Sequence, residues 1–417
     1  MNNEMLVLRE LAGRYAEIAN DPVNQKRIIL HRAVNDKVLM RPVVLLDELP
    51  WHELDIDGQL RTVCTDADYL EAEIFFRREL YKWKYIQADM VVRPFYAVKK
   101  VVETTGIGID IVENTLETRP GVDTAIKSHH YVNQIETDED IDKLHNQVLT
   151  YNEKLTRERY QKLSAVIGDI LPVKITGVET GYDNACKNWD DIAMYMGPEA
   201  VLAGLIEEPE MMHKLVGKLT DIFLDTVRQY EDLNLYEPNQ ITMHGVSALN
   251  SELCRNIDYN HVKAKNMWGR GIAQFFSTVS KQMRDEYDIS YMKRAMKPFG
   301  LVYYGCCEPL HNMIDIVAQI PNIRKIGVTP WADVDIAADN MGDRFVMAFK
   351  PHPVFTTDFQ LYKDSIVNET QRMLNAIRRN HTACDIALKD VSTVNGNPYN
   401  LFQWTELVMR MVEKFEY

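Results

Sequence analysis

The chain has 417 residues, of which 46% are hydrophobic and 26% charged, and its formal net charge is -14. This composition is typical of a globular protein with a sizeable core, and the acidic balance argues against a nucleic-acid or anionic-membrane surface, which needs clustered Lys and Arg. No apolar run reaches the roughly 18 residues that cross a bilayer, and the N-terminus lacks a signal-peptide pattern. We therefore predict a cytoplasmic protein that binds a small molecule or a protein partner, with no nucleic acid and no membrane.

Residues 1–83 are predicted to be mainly helical. Apolar residues recur at helical spacing in "LVLRELAGRYAEIA", "PVNQKRIILHRAVND" and the long "DADYLEAEIFFRRELYKWKYI", with a short extended piece, "RPVVLLDELPW", among them. We expect a helical N-terminal extension that packs on the remainder of the chain.

Residues 84–417 change to short apolar runs, each followed by a polar or Gly/Pro signal and a helix-length segment. This alternation is typical of a parallel sheet, and about eight runs are present, which is the number in a (βα)8 barrel. They are "ADMVVRP", "LPVKITGVE", "QITMHGVS", "IAQFFSTVS", "GLVYYGCCEP", "RKIGVTPW", "RFVMAFKPHP" and "DIALKDVST". We predict an α/β protein, a (βα)8 TIM barrel with the helical extension, in one compact domain overall.

Polar residues at the C-terminal ends of barrel strands are candidates for the active site, because the loops that follow the strands converge there. The runs end in acids, bases and thiols. These residues are Asp89, Arg93, Thr176, Glu179, His244, Ser277, Cys306, Cys307, Glu308, Thr329, Trp331, Lys350, His352, Lys389, Asp390 and Ser392.

The stretch "VYYGCCEPL" places two thiols and a carboxylate after one of these strands. A zinc site needs about three thiolate, imidazole or carboxylate ligands and an open position, so we predict metal ligands among His244, Cys306, Cys307 and Glu308. Consecutive residues point to opposite sides, so one cysteine is expected to face the pocket, and Cys307 is favoured. The alternative is a cysteine pair that only completes the packing and a structural histidine.

No Walker A, G-x-G-x-x-G, G-x-S-x-G or H-E-x-x-H sequence occurs, which argues against nucleotide-driven and serine-hydrolase chemistry. Aromatic residues near the strand ends, Tyr304 and Trp331 among them, are candidates to line a pocket for a flat ligand, although such residues also serve as core.

The segments "MWGRGIAQFFSTVSKQM", "FGLVYYGCCEPLHNMIDIVAQIPNIRKIGVTPWADVDIAADNMGDRFVMAFKPHP" and "CDIALKDVSTVNGNPYNLFQW" resemble the uroporphyrinogen decarboxylase superfamily. The resemblance is to its uncharacterised branch, common in anaerobic bacteria, and is looser outside these segments. It implies a (βα)8 barrel and a role in anaerobic metabolism.

Two chemistries occur in that superfamily. The decarboxylases carry an Arg-rich N-terminal motif and an aspartate that holds the pyrroles, and neither is present here in recognisable form. The string "LAGRYAEI" matches a fragment of the motif by chance, since it lies inside an ordinary amphipathic helix. The zinc-dependent methyltransferases carry a thiolate at the end of the fifth strand in an H-x-C-G context, where "YYGCCEP" stands here. Tyr303 or Tyr304 takes the place of that histidine, and the second zinc cysteine is replaced near 390–392.

The resemblance implies an enzyme that moves a methyl group between a corrinoid, free or on a partner protein, and a thiol or folate, with zinc assistance. We expect Asp390, Lys389 and Glu179 to be catalytic, and a homo-oligomer is compatible with the sequence. The residues expected to bind substrate or cofactor are Arg93, Tyr304, Trp331, Lys350 and His352.

Two alternatives remain open. One is a metal-free decarboxylase of a tetrapyrrole or small aromatic acid, in which Arg93, Lys350 and Lys389 hold carboxylates and Asp390 stabilises a protonated intermediate. The other is a corrinoid- or tetrapyrrole-binding protein without catalysis.

Overall fold

A computed structural model describes residues 2–117, 127–181 and 184–417. Its helices are α1 Asn3–Ala19, α2 Val23–Asn35, α3 Ala67–Tyr85, α4 Asp138–Asp142, α5 Glu153–Ile167, α6 Asn188–Met196, α7 Pro198–Glu207, α8 Pro209–Asp232, α9 Lys281–Met283, α10 Ser290–Met296, α11 Ile314–Val317, α12 Val334–Met341, α13 Phe359–Asn380 and α14 Tyr399–Glu413. A π-helical turn, Arg284–Ile289, joins α9 to α10. None of the described helices combines the length and apolarity needed to span a bilayer.

The strands are β1 Val43–Leu46, β2 Tyr96–Lys99, β3 Val102–Thr104, β4 Glu113–Glu117, β5 Lys127–Tyr131, β6 Leu149–Tyr151, β7 Val173–Thr176, β8 Thr242–Met243, β9 Val246–Ser247, β10 Trp268–Gly271, β11 Leu301–Tyr304, β12 Ile323–Val328, β13 Val346–Phe349 and β14 Cys384–Leu388. Six of them form one sheet in the order β1, β14, β13, β12, β11, β10, and every neighbouring pair is parallel. The fold is therefore α/β, as predicted.

The strands of this sheet are largely buried on both faces, which is why they occur as mainly apolar runs, although Arg270, Lys325 and Asp385 stand within them. Side chains alternate between the faces. Val302, Tyr304 and Ile386 pack with the surrounding helices in the largest core cluster. Tyr303 and Ala387 belong to a second cluster with Trp268 and Leu301, on the face that we call the inner face.

Strand β1 corrects the sequence analysis, which described residues 1–83 as a helical extension with a short extended piece. That piece contains Val43–Leu46, which pairs with β14 in the register Val44 to Ile386 and so belongs to the main sheet. The helices around it pack mainly with one another. Tyr15 of α1 contacts Phe76 of α3 with ring centroids 5.3 Å apart.

Three other predicted strands also differ. The run "ADMVVRP", residues 88–94, forms no strand, and β2 begins just after it at Tyr96. The run "IAQFFSTVS" contains a 3-10 helix, Gln274–Thr278, and the sheet strand lies just before it at Trp268–Gly271. The run "QITMHGVS" forms the two short antiparallel strands β8 and β9 with a tight turn at His244 and Gly245. In contrast, the runs that contain β11, β12, β13 and β14 were placed correctly.

A buried ion pair lies on the inner face. Lys325 of β12 and Asp385 of β14 are fully buried, and the Lys325 ammonium donates hydrogen bonds to Asp385 and, over 2.6 Å, to the carbonyl oxygen of Ser247. The Ser247 amide donates to Asp385 over 3.1 Å. These bonds attach the β8–β9 hairpin, and with it His244, to the sheet.

Candidate active site

The polar cluster that we take as the candidate site lies beyond the C-terminal ends of three sheet strands. Glu48 follows β1, Cys306 and Cys307 follow β11, and Lys389 and Asp390 follow β14. His244 reaches the same place from the turn between β8 and β9. Parallel strands end at one edge of their sheet, so residues far apart in sequence converge there.

Lys389 lies at the centre of this cluster. Its Nζ is 2.9 Å from Nε2 of His244, 3.0 Å from Oε2 of Glu48 and 3.1 Å from Oδ1 of Asp390. It is also 4.0 Å from Sγ of Cys306. The side chain is only 3% exposed, and although burial opposes its charge, the neighbouring thiolate and carboxylates raise its pKa. Lys389 is therefore a permanent, fixed cation.

Cys306 is the buried thiol of the pair, with 2% exposure. Its Sγ is 3.6 Å from Sγ of Cys307 and 3.3 Å from Nε2 of His244. The hydrogen bond from the Cys307 thiol lowers the pKa of Cys306, and the charge of Lys350 and the contact with His244 add to this against the effect of burial. The lowered pKa favours the thiolate form of Cys306.

Cys307 is partly exposed and behaves in the opposite way. Its hydrogen bond to Cys306 and its burial raise its pKa, so it remains a protonated donor. Its Sγ lies 3.8 Å from Oδ2 of Asp390. Both cysteines thus border the cluster, Cys306 as a buried thiol and the favoured Cys307 as a partly exposed one.

Two further cations, Lys350 and Arg270, lie near Cys306. Lys350 is buried and donates to the carbonyl oxygen of Cys306, and the fully buried Arg270 donates from Nη1 to the carbonyl oxygen of Gly305 over 2.5 Å. Arg270 also lies 4.1 Å above the ring of Tyr303. Its Nε and Nη2 have no hydrogen-bond partner among the described residues. The thiolate is therefore compensated by fixed positive charges.

Glu308 does not face the cluster. Its carboxylate is fully buried and accepts the backbone N–H of Cys306 over 2.8 Å and that of Ala273 over 3.4 Å. Nη1 of Arg284 lies 3.8 Å away. Glu308 therefore fixes the loop that carries Cys306, which is a positioning role.

Tyr304 packs in the core. It lies on the helix-facing side of β11 and is fully buried. Its hydroxyl accepts from Arg284 over 3.0 Å and donates to Asp288, whose pKa burial raises to about 7. Tyr304 thus serves the core, where the sequence analysis expected a ligand-binding ring.

Two carboxyl groups border the exposed side of the cluster. Partial burial and a hydrogen bond with Asp390 raise the pKa of Glu48 to about 7. Burial also opposes ionisation of Asp390, but the same hydrogen bond and the charge of Lys389 outweigh it and lower the pKa of Asp390. Of the two carboxyl groups, Glu48 is therefore the weaker acid.

The backbone at the cluster is unusual. Glu48, His244 and Asp390 have φ values of 51°, 48° and 58°, in the left-handed region that side chains other than glycine rarely adopt. Such conformations persist only where the surrounding structure holds them, and they are concentrated at functional sites.

The other predicted site residues lie apart from Cys306. Arg93 and Glu179 form an ion pair that lines a cavity of about 240 Å³. The residues Asp47 and Gly245, adjacent to Glu48 and His244, form part of the wall of this cavity. It therefore lies next to the cluster.

Trp331 and His352 lie on the outer surface. Trp331 is 63% exposed and meets His352 edge to face with ring centroids 4.9 Å apart. Nδ1 of His352 accepts the backbone N–H of Val354, so the histidine caps a 3-10 turn.

The predicted zinc ligands are His244, Cys306, Cys307 and Glu308. Across residues 2–117, 127–181 and 184–417, no three His, Cys, Asp or Glu side chains are arranged to hold a metal ion. Glu308 is engaged by backbone N–H groups, and the Lys389 ammonium lies against the imidazole nitrogen of His244.

Glu48 and Arg270 were missed by the sequence analysis. Glu48 follows the apolar run "VVLL", which is a pattern typical of a strand end, but this strand was not assigned to the sheet. Arg270 stands in "WGRG", a basic residue between glycines, and it could have been suspected only if that segment had been recognised as a strand.

Neither a protein-family model nor a curated protein sequence matches the chain. Among solved structures, a methyltransferase from Methanosarcina mazei is similar, with a TM-score of 0.47 and 8% sequence identity, covering 91% of this chain and 97% of that chain.

Proposed function

We propose that the protein is a methyltransferase in which the Cys306 thiolate receives a methyl group and passes it on. The observation that carries the proposal is the position of its sulfur, 3.3 Å from His244, 3.6 Å from the Cys307 thiol and 4.0 Å from the Lys389 ammonium. The thiolate is the nucleophilic form of cysteine, and nearby cations and donors keep it available at neutral pH.

The transfer is an ordinary displacement at carbon. The sulfur lone pair of Cys306 forms the S–C bond, and the bond between the methyl group and its donor breaks with both electrons remaining on the donor. A methylated corrinoid, free or on a partner protein, is the donor class that the sequence resemblance implies. In the second step the acceptor, a thiol or folate, attacks the methyl carbon and the thiolate leaves. The cations that stabilise the thiolate favour this departure.

The surrounding residues have distinct roles in this proposal. Glu48, with a pKa of about 7, and Asp390 are placed to exchange a proton with the acceptor or leaving group. The cavity lined by Arg93 and Glu179 is the place for the small substrate. The exposed Trp331 offers a flat surface to a corrinoid partner.

We also propose that the six-stranded sheet is the larger part of a (βα)8 barrel. The Asp89 amide donates to the carbonyl oxygen of Val44 over 2.9 Å, which extends the sheet beyond β1. Strands β2 and β7 pair in parallel, and parallel bridges join Val178 to Tyr236 and Cys186 to Gly271 of β10. These contacts continue around the inner face toward β10, the opposite edge of the sheet.

Incubation of the protein with methylcobalamin tests the proposed function. Tryptic mass spectrometry is expected to find one added methyl group on the Cys306 peptide, released on addition of a thiol acceptor. The Cys306→Ser variant should lose the label, whereas Cys254→Ser, at a half-buried cysteine outside the cluster, should keep it. Labelling that is equal in wild type and Cys306→Ser would refute the proposal.

The metal-free decarboxylase has one specific observation in its favour. Arg270, with two donor nitrogens that lack partners among the described residues, and Lys350 form a buried cationic region next to the cluster that suits a carboxylate. Release of carbon dioxide from a tetrapyrrole or aromatic acid without methylation of Cys306 would favour it. Spectral binding of a corrinoid without turnover would favour a binding protein.

A further inference from the structure

The surroundings of the Lys389 ammonium resemble the ligand set of a metal ion. Nζ is held by an imidazole nitrogen from His244 and by carboxylate oxygens from Glu48 and Asp390, at 2.9, 3.0 and 3.1 Å. The Cys306 sulfur lies 4.0 Å away. Imidazole, thiolate and carboxylate are the ligands that zinc takes in proteins, usually four of them.

The distances match an ammonium ion and not a metal. Zinc binds nitrogen and oxygen at about 2.0–2.2 Å and sulfur at about 2.3 Å, whereas N–H donors lie at about 2.7–3.2 Å from their acceptors. The groups around Nζ are therefore spaced for hydrogen bonds. A zinc ion at this position would overlap with Nζ and would require Lys389 to leave.

Lys389 is not placed to leave easily. It directly follows β14, its side chain is 3% exposed, and the contacts to its ammonium come from three other segments of the chain. Withdrawal of the ammonium would leave the Asp390 carboxylate and the Cys306 thiolate without their shared cation. Removing one partner from such a buried arrangement is costly.

We propose that the Lys389 ammonium takes the position of the metal ion in this site and supports the Cys306 thiolate in place of zinc. This inference rests on the proposed function and deepens it, since it makes methyl transfer independent of a metal. Lys389 is then a positioning residue that acts through Cys306. The Lys389 ammonium adds to the charges of Lys350 and Arg270 on the buried side of Cys306.

Zinc binding tests the proposal directly. In the full-length wild type, freed of metal by dialysis against a chelator, added zinc should not protect Cys306 from methyl methanethiosulfonate, as measured by peptide mass spectrometry. The variant Lys389→Ala opens the position between His244 and Cys306. It should bind one zinc ion per chain at least about tenfold more tightly than the wild type, as measured by competition with a chromophoric chelator.

Two controls make the result specific. Lys389→Arg keeps a cation at the position and should match the wild type in zinc affinity. The double variant His244→Ala with Lys389→Ala should lose the affinity that Lys389→Ala gains. If Lys389→Ala does not fold by circular dichroism, Lys389→Met keeps the chain length without the charge, and the protection experiment on the wild type stands by itself.

Protection of Cys306 by zinc in the wild type, or equal zinc affinity of wild type and Lys389→Ala, overturns the proposal. These outcomes are separate from those of the proposed function. The latter fails if wild-type Cys306 is not methylated by methylcobalamin, whatever the zinc affinities are.

Discussion

Replacement of Lys325 by Met would break the buried ion pair on the inner face without changing much volume. Lys325 and Asp385 are both fully buried, and the Lys325 ammonium donates to Asp385 and to the carbonyl oxygen of Ser247. In the variant, the Asp385 carboxyl keeps the Ser247 amide as a donor but has lost its cation. It must therefore either stay charged and unpaired or take up a proton.

The size of the destabilisation follows from protonation of the Asp385 carboxyl. An unfolded Asp has a pKa of about 3.9, so keeping the Asp385 carboxyl protonated in the folded variant at pH 7 costs about 4 kcal/mol. This agrees with about 3–5 kcal/mol for breaking a buried pair. The folded variant binds a proton that the unfolded chain releases, so its stability falls by about 1.4 kcal/mol per pH unit above pH 4. The intact pair adds no such slope, because it is net neutral wherever the shared proton lies.

Urea unfolding at pH 5, 6 and 7, followed by tryptophan fluorescence and by far-UV circular dichroism, measures this effect. We expect Lys325→Met to lose about 4 kcal/mol at pH 7 but only about 1.5 kcal/mol at pH 5. The double variant Lys325→Met with Asp385→Leu should recover most of the stability and lose the extra pH dependence. A loss that is below about 1 kcal/mol at pH 7, or equal at pH 5 and pH 7, would refute the reasoning.

Three further predictions concern single groups. Burial raises the pKa of Glu369 to about 7, so the folded protein holds a proton that the unfolded chain releases, and the folded state loses stability as the pH rises. Urea unfolding of Glu369→Gln should therefore show a gain in stability of up to about 3 kcal/mol at pH 8 and no gain at pH 4. Gly305 has a φ of 107°, and a Cβ there would lie 2.8 Å from Cδ1 of Leu310, so Gly305→Ala should cost about 1–3 kcal/mol and slow modification of Cys306 by methyl methanethiosulfonate. The hydrogen bond with Cys307 lowers the pKa of Cys306, whereas burial raises the pKa of Cys254. The modification rate of Cys306 should therefore change little between pH 6 and pH 8.5, as followed by peptide mass spectrometry. The rate of Cys254 should rise about tenfold per pH unit; parallel pH profiles for the two cysteines would contradict the assignment.

The sequence was most informative where one strand is buried on both faces and flanked by helices. The runs around β11, β12, β13 and β14 are mainly apolar, and each is followed by polar residues, so their ends placed Cys306, Lys350, Lys389 and Asp390 at one edge of the sheet, where the structure has them. The prediction failed at β1, which was predicted as extended but not placed in the main sheet, because its pairing with β14 is a long-range contact that the local sequence does not specify. Glu48, which follows β1, was therefore not predicted as a site residue.

The sequence does not show which group lies between the predicted metal ligands. Residue types and strand ends indicated that His244 and Cys306 meet, and they do, with a separation of 3.3 Å. Which group fills the space between the ligands is decided by side-chain packing across four segments. Lys389 was expected to be catalytic, but its position between the would-be ligands follows only from the three-dimensional arrangement.

The left-handed backbone conformation of Glu48, His244 and Asp390 lowers the stability of the folded protein. Each such residue costs on the order of 1 kcal/mol relative to glycine, which adopts this conformation freely. A laboratory selection for thermal resistance alone, with no demand for activity, should therefore enrich Gly or Asn at these three positions. A selection for methyl transfer should retain the original side chains at the expense of heat tolerance.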